Sequence, residues 1–236
     1  RLKGEPLAYI TGHREFYGLD LVVNAHVLVP RQETELLVDK VLEFCSDKLD
    51  RGPLHVVDVG TGSGAVAIAI ASNLPQSVIY ATDVRREALA VADVNRRRHG
   101  VLDRVHLCQG DLLEFFNRPV DLIVSNPPYI RTEEIAHLAP EVRREPSWAL
   151  DGGADGLEVT RRLLQQAPEY IRPGGLLLFE IAPEGLEPVS QLARQVMPSA
   201  RVSSAKDLLG LPRVVMVQLE DGAARTQQKV SRPAAL

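Results

Sequence analysis

Residues 54–71 restrict the possible folds more than any other stretch. Leu54-His55-Val56-Val57-Asp58-Val59 is a near-continuous apolar run of the kind found in strands buried on both faces. It passes straight into Gly60-Thr61-Gly62-Ser63-Gly64, and then into the apolar helical run Ala65-Val66-Ala67-Ile68-Ala69-Ile70-Ala71. Strand, glycine turn and helix together make the βα unit of nucleotide-binding α/β folds, in which glycines allow a tight turn and close approach of a ligand to the backbone. The spacing G-x-G-x-G differs from the G-x-G-x-x-G of dinucleotide enzymes, and no Gly-Lys-Ser/Thr follows, which excludes a P-loop. His55, inside the strand, reads as a packed histidine rather than a ligand.

A second strand, Val78–Thr82, ends at Asp83, which lies 23 residues beyond Gly60. An acid at about this distance, at the end of the second strand, is placed to accept both hydroxyls of a ribose. Its competing role is to cap the helix that begins near Glu87. That helix runs to His99 and ends in Arg96-Arg97-Arg98. A basic run suits the negative end of a helix and reads as a solvated face. A third strand, Val105–Cys108, leads to Asp111 and Leu112. Asp111 can reach an adenine amino group with Leu112 packed near the ring, or it can simply cap the loop.

The fourth strand, Val120–Val124, stops at Ser125-Asn126-Pro127-Pro128-Tyr129. Two prolines stiffen this corner and supply no N–H, so its carbonyls are available as acceptors. Asn126 adds a further acceptor and a donor pair, and Tyr129 adds a flat face with a polar tip. Such a corner suits a planar NH2 group, although Asn-Pro and Pro-Pro also mark ordinary turns. Residues 131–156 read as a long irregular segment holding the sole tryptophan, Trp148. A helix over 157–170, a Pro173-Gly174-Gly175 turn, a strand over 176–181, a helix over 186–196 and strands near 201–204 and 214–219 complete the pattern. In a doubly wound sheet the first and fourth strands are neighbours, so the glycine loop and the Asn126 corner face one crevice.

Residues 1–30 read as a β-hairpin linker, with alternation from Phe16 to Val23. Pro30-Arg31-Gln32-Glu33-Thr34-Glu35 opens the next helix with Thr34 as its N-cap. Phe16, Arg31 and Glu33 are candidates for a wall of the site, and Arg31 and Glu33 read equally as a capping charge pair. Residues 31–220 form the expected main domain. Residues 221–236 lack periodicity and read as a disordered tail. The net charge of −4 gives no field that would attract nucleic acid. Cys45 and Cys108 have no metal-type spacing and read as buried or free thiols of a reducing compartment. No stretch is apolar enough to span a membrane, and a start at Arg1 reads as a segment of a longer protein.

The glycine loop followed by Asp83 and Asp111 at strand ends resembles the Rossmann-like methyltransferases that bind S-adenosylmethionine. Asn126-Pro127-Pro128-Tyr129 resembles their amino-methylating branch. Pro30-Arg31-x-Glu33-Thr34-Glu35 after the Phe16-x-Gly18 hairpin, with Glu145-Pro146, Ala149-Leu150, Gly152-Gly153 and Asp155-Gly156-Leu157, resembles the release factor glutamine methyltransferases, the PrmC/HemK family. The resemblance covers residues 4–219. It implies an α/β fold with a seven-stranded sheet, helices on both faces and a preceding hairpin, and a small N-terminal helical domain ahead of it. It implies S-adenosylmethionine held by Gly60, Thr61, Gly62, Ser63, Gly64, Asp83, Asp111, Leu112 and Asn126, and no metal. The implied reaction is N5-methylation of the glutamine in the Gly-Gly-Gln loop of class I release factors, in the cytoplasm or an organelle. Asn126, Pro127 and Tyr129 would be catalytic, with Pro128 completing the substrate contact. Methylation of an exocyclic amine of nucleic acid, such as adenine N6, is the rival reading. One departure stands out: Ala182-Pro183-Glu184-Gly185 occupies the place where the family often shows a glycine and then a glutamine.

Overall fold

A computed structural model describes residues 4–46, 52–114 and 116–221. The disordered-tail reading of residues 222–236 lies outside the described residues. The chain opens with a one-turn helix α1 (Leu7–Thr11) and the antiparallel hairpin β1 (His13–Phe16) and β2 (Leu19–Val22). Tyr17 and Gly18 make its turn, both at positive φ, 52° and 75°. Then follow α2 (Glu35–Ser46), β3 (Leu54–Val59), α3 (Ala65–Asn73), β4 (Ser77–Asp83) and α4 (Arg86–Arg98). The remainder is β5 (Val105–Gln109), β6 (Val120–Ser125), α5 (Glu158–Tyr170), β7 (Ile171–Glu180), α6 (Leu186–Val196), β8 (Arg201–Lys206) and β9 (Pro212–Gln218).

The seven strands after the hairpin form one sheet in the order β5-β4-β3-β6-β7-β9-β8, with β9 antiparallel to both β7 and β8. Strand pleating sorts the core. Val56, Leu122, Val124 and Leu178 point to the face covered by α2 and α3, and Val57, Ile123, Leu177 and Phe179 point to the face covered by α5 and α6. All eight are almost fully buried, which is why the central strands read as continuous apolar runs. The α3 helix is apolar all round because it is packed all round: Ala65 to Ala71 are each buried.

The hairpin is built into this body. Phe16 and Leu21 belong to the same cluster as α2 and α3. Asn95 of α4 fastens β2 through Val22, accepting its N–H at 2.7 Å and donating to its carbonyl at 2.9 Å.

Several local expectations are refined or corrected. Thr34 stands at the N-cap position of α2, where it ends a 3-10 turn, Gln32–Thr34, and its hydroxyl donates to the distant Glu180. Pro173–Gly175 lies inside β7 rather than before it, at an irregularity where the β6–β7 register shifts. Residues 131–156 are ordered by three 3-10 turns, at Thr132–His137, Val142–Arg144 and Ser147–Ala149. An Ile130–Asp151 bridge pins this segment to the end of the Asn126 corner.

Candidate functional site

The β3–β6 pairing sets Val59 opposite Ser125, so the glycine loop and the Asn126 corner emerge side by side. Ser125 Oγ donates to the Val59 carbonyl at 2.8 Å and ties the two strand ends together. Gly60 and Gly62 have φ of 72° and 55°. A Cβ built on either meets nothing within 4 Å, so both glycines leave open space at the surface of the loop. Gly64 differs: its Cβ would lie 2.9 Å from Ile68 Cδ1 and 3.3 Å from Ala92 Cβ. Gly64 serves helix packing and does not line the cavity.

Two acids brace the loop. Asp58 is 2% exposed, and its Oδ2 accepts from Thr61 Oγ1 at 2.7 Å and from the Ala67 N–H at 3.2 Å. Burial pushes its pKa up to about 6 against the opposing pull of those donors. Asp83 accepts the Gly62 N–H at 3.0 Å on Oδ2 and the Arg85 N–H at 2.9 Å on Oδ1. Burial raises its pKa as well. The helix that starts at Arg86 has no side-chain cap bond of its own N-cap residue, Arg85, and Asp83 spans the glycine loop and that helix entry with one oxygen on each.

At the other wall, Asn126 Nδ2 donates to Thr34 Oγ1 at 3.1 Å, and Thr34 Oγ1 donates to Glu180 Oε2 at 2.6 Å. The Tyr129 hydroxyl donates to Glu180 Oε1 at 3.1 Å. Glu180 is 1% exposed, and burial raises its pKa. Tyr129 is likewise raised by burial, with the neighbouring Glu180 charge adding to it.

These elements enclose a cavity of about 350 Å³, the size of a small-molecule cleft. Its lining includes Phe16, Arg31, Gly60, Thr61, Gly62, Ser63, Asp83, Asp111, Leu112, Asn126, Pro127, Pro128 and Trp148. Glu33 and Tyr129 are not part of this lining: Glu33 is exposed, and Tyr129 borders a smaller cavity beside Ile181 and Ala182. Arg31 is held by an ion pair to Glu145, which also accepts the Val29 N–H at 3.0 Å and so ties this wall to the 131–156 segment. Asp111 pairs with Arg162 of α5 at 2.6 Å. Trp148 is 43% exposed, with the Arg85 guanidinium 4.6 Å from its ring centre.

Sequence reasoning gave no role to Asp58, Glu145, Arg162 or Glu180. A lone acid inside an apolar strand, as at Asp58 and Glu180, was the available signal. The arginine run is neutralised within the fold: Arg96 and Arg97 pair with Asp93, and Arg98 pairs with Asp20. No group of three or more metal-ligating side chains occurs among the described residues. No helix there is long and apolar enough to cross a membrane.

A doubly wound sheet with a glycine cradle, a strand-end acid and the Asn126-Pro127-Pro128 corner in one cleft is the architecture of a methyltransferase, and the methyltransferase small domain model matches residues 34–145. A methyltransferase from Pyrococcus furiosus shares the fold at TM-score 0.62, with 20% identity, over 86% of this chain and 90% of that one. The release factor-specific protein-(glutamine-N5) methyltransferase of Alicyclobacillus acidocaldarius superposes at TM-score 0.50, with 29% identity, over 81% of this chain and 94% of that one. The release factor glutamine methyltransferase of Moorella thermoacetica is 47% identical over 83% of this chain and 69% of its own length. That of Gloeobacter violaceus is 42% identical over 89% and 73%. The chain belongs to the release factor glutamine methyltransferase family.

Proposed function

We propose that this protein methylates the side-chain amide nitrogen of the glutamine in the Gly-Gly-Gln loop of class I release factors, in the cytoplasm, using S-adenosylmethionine. The observation that carries this reading is the Asn126 side chain, held beside the glycine cradle with its amide nitrogen turned to Thr34. The cradle fits the cofactor: Gly60 and Gly62 present open backbone where side chains would intrude. The Asp83 carboxylate, held by two backbone amides, retains lone pairs for ribose hydroxyls. Asp111 and Leu112 line the same cavity and would hold the purine, with Asp111 fixed by Arg162. S-adenosylmethionine, when bound, supplies an electrophilic methyl group.

A carboxamide nitrogen is a poor nucleophile because its lone pair is delocalised into the carbonyl. Asn126 Oδ1 and the Pro127 carbonyl accept its two hydrogens, orient the NH2 and stabilise positive charge as it develops on nitrogen. Orientation of this kind contributes on the order of 7–11 kcal/mol in favourable cases. Pro128 stiffens the corner. Tyr129 acts from behind it, through the hydroxyl bond to Glu180.

Release factor incubated with the protein and cofactor should gain one methyl group (about 14 Da) on that glutamine, read by peptide mass spectrometry. Asn126→Ala should lower kcat by about a hundredfold or more, a loss well beyond any fall in cofactor affinity measured on the same variant. Turnover close to that of the parent would remove Asn126 from the reaction.

A further inference from the structure

Asn126 can accept an amide hydrogen only if its oxygen, not its NH2, faces the cavity. Nothing in the sequence of the corner decides this, because the two ends of a carboxamide are almost the same size. The decision is made behind the corner, by groups brought from two distant elements.

Burial works against the charge of Glu180 and the nearby Arg213 works for it; in its ionised form the carboxylate only accepts hydrogen bonds. Both oxygens of Glu180 are occupied by hydroxyl donors, Thr34 on Oε2 at 2.6 Å and Tyr129 on Oε1 at 3.1 Å. A hydroxyl has one hydrogen. Thr34 spends its hydrogen on Glu180, so it can offer Asn126 only a lone pair. Asn126 must then turn its NH2 to Thr34, as the 3.1 Å contact shows. The reverse orientation would set two acceptors against each other. Glu180 makes no ion pair among the described residues, although Arg213 is near enough to favour its charge. Keeping a buried carboxylate without a bonded cation is costly, and a glutamine would fill the same space. Glutamine would not do the same work: its own NH2 could donate to Thr34, free the threonine hydrogen for Asn126 Oδ1, and let the asparagine turn round.

We infer that Glu180 and Thr34 are positioning residues that set the hydrogen-bond polarity of Asn126, so that its oxygen faces the substrate amide. The inference rests on the reading that the corner receives a carboxamide. It adds to that reading the device that makes the corner an acceptor site.

The test uses the whole chain with release factor as substrate, and compares Glu180→Gln, Thr34→Val and Thr34→Ser. Glu180→Gln and Thr34→Val should each lower kcat by about tenfold or more, with cofactor Kd within about threefold, and Thr34→Ser should stay within about threefold of the parent. The double variant Thr34→Val/Glu180→Gln should be no slower than the slower single variant, because one device is lost in both. Full turnover in Glu180→Gln and Thr34→Val, multiplicative losses in the double variant, or a parallel fall in cofactor affinity would overturn the inference. A second measurement does not depend on turnover. The Asn126 side-chain NH2 signals, identified by their loss in Asn126→Ala, should exchange slowly with water in the parent and fast in Thr34→Val. Equal exchange rates would refute the relay even if the substrate were something else. A parent that fails to methylate release factor but shows this protection would refute only the substrate reading.

Discussion

Gly152→Ala is the sharpest probe of how the Asn126 corner is held. Gly152 sits in the 131–156 segment where three stretches of backbone converge. Its N–H donates to the Ile130 carbonyl at 2.8 Å, and its own carbonyl accepts the Glu158 N–H at 2.9 Å. An added Cβ would lie 2.7 Å from the Gly156 carbonyl oxygen and 2.8 Å from the Pro128 carbonyl oxygen. Ordinary contact begins at 3.4 Å, so the methyl group is about 0.6–0.7 Å too close on both sides. Neither neighbour is a flexible side chain that could swing away; both are backbone. Overpacking of this kind costs about 1–3 kcal/mol of stability. The functional cost follows from where the strain goes. Pro128 is two residues from Asn126, and a 1 Å misplacement of a positioning group can cost about a hundredfold. A shift of roughly half that size should cost about tenfold in kcat. The glycine loop belongs to β3 and α3, so cofactor affinity should stay within about twofold. The assay is release factor methylation at saturating cofactor, with calorimetric cofactor binding and a melting curve on the same preparation. A variant with parental kcat and parental melting temperature would show that the corner is not held by this segment.

Two further predictions concern the acids of the glycine loop. Asp83→Asn removes a charged acceptor from the proposed ribose position and should weaken cofactor binding by about 1.5–3 kcal/mol, roughly 10- to 150-fold in Kd; calorimetry giving a Kd within about threefold of the parent would contradict that assignment. Asp58 has a pKa pushed up to about 6 in the fold from an ordinary value of 3.8, so the folded state holds this proton more tightly than the unfolded chain does. Its stabilising contribution is complete below the unfolded value and is lost as pH rises through about 6. The urea-unfolding stability of the parent should therefore gain on that of Asp58→Asn by about 2 kcal/mol between pH 7 and pH 4.5. A difference that does not change with pH would show that Asp58 titrates normally.

The sequence by itself determined the strand–glycine–helix unit, the order of the main strands and the stiffness of the Asn126 corner. Each of these depends on residues adjacent in the chain: buried runs, φ-permissive glycines and φ-locked prolines leave a local imprint. Tertiary structure alone decided how those parts are aimed. Thr34 had the sequence context of a helix cap, yet its hydroxyl bonds Glu180, 146 positions away, and meets the amide of Asn126, 92 positions away. Gly64 looked like part of the ligand cradle, yet it is small because Ile68 and Ala92 press on it. Tyr129 stood in the motif as a catalytic residue with a flat face for the substrate, and folding turns its hydroxyl to Glu180, behind the corner. The direction in which a buried hydroxyl or carboxamide donates is set by partners that only folding brings within hydrogen-bonding distance.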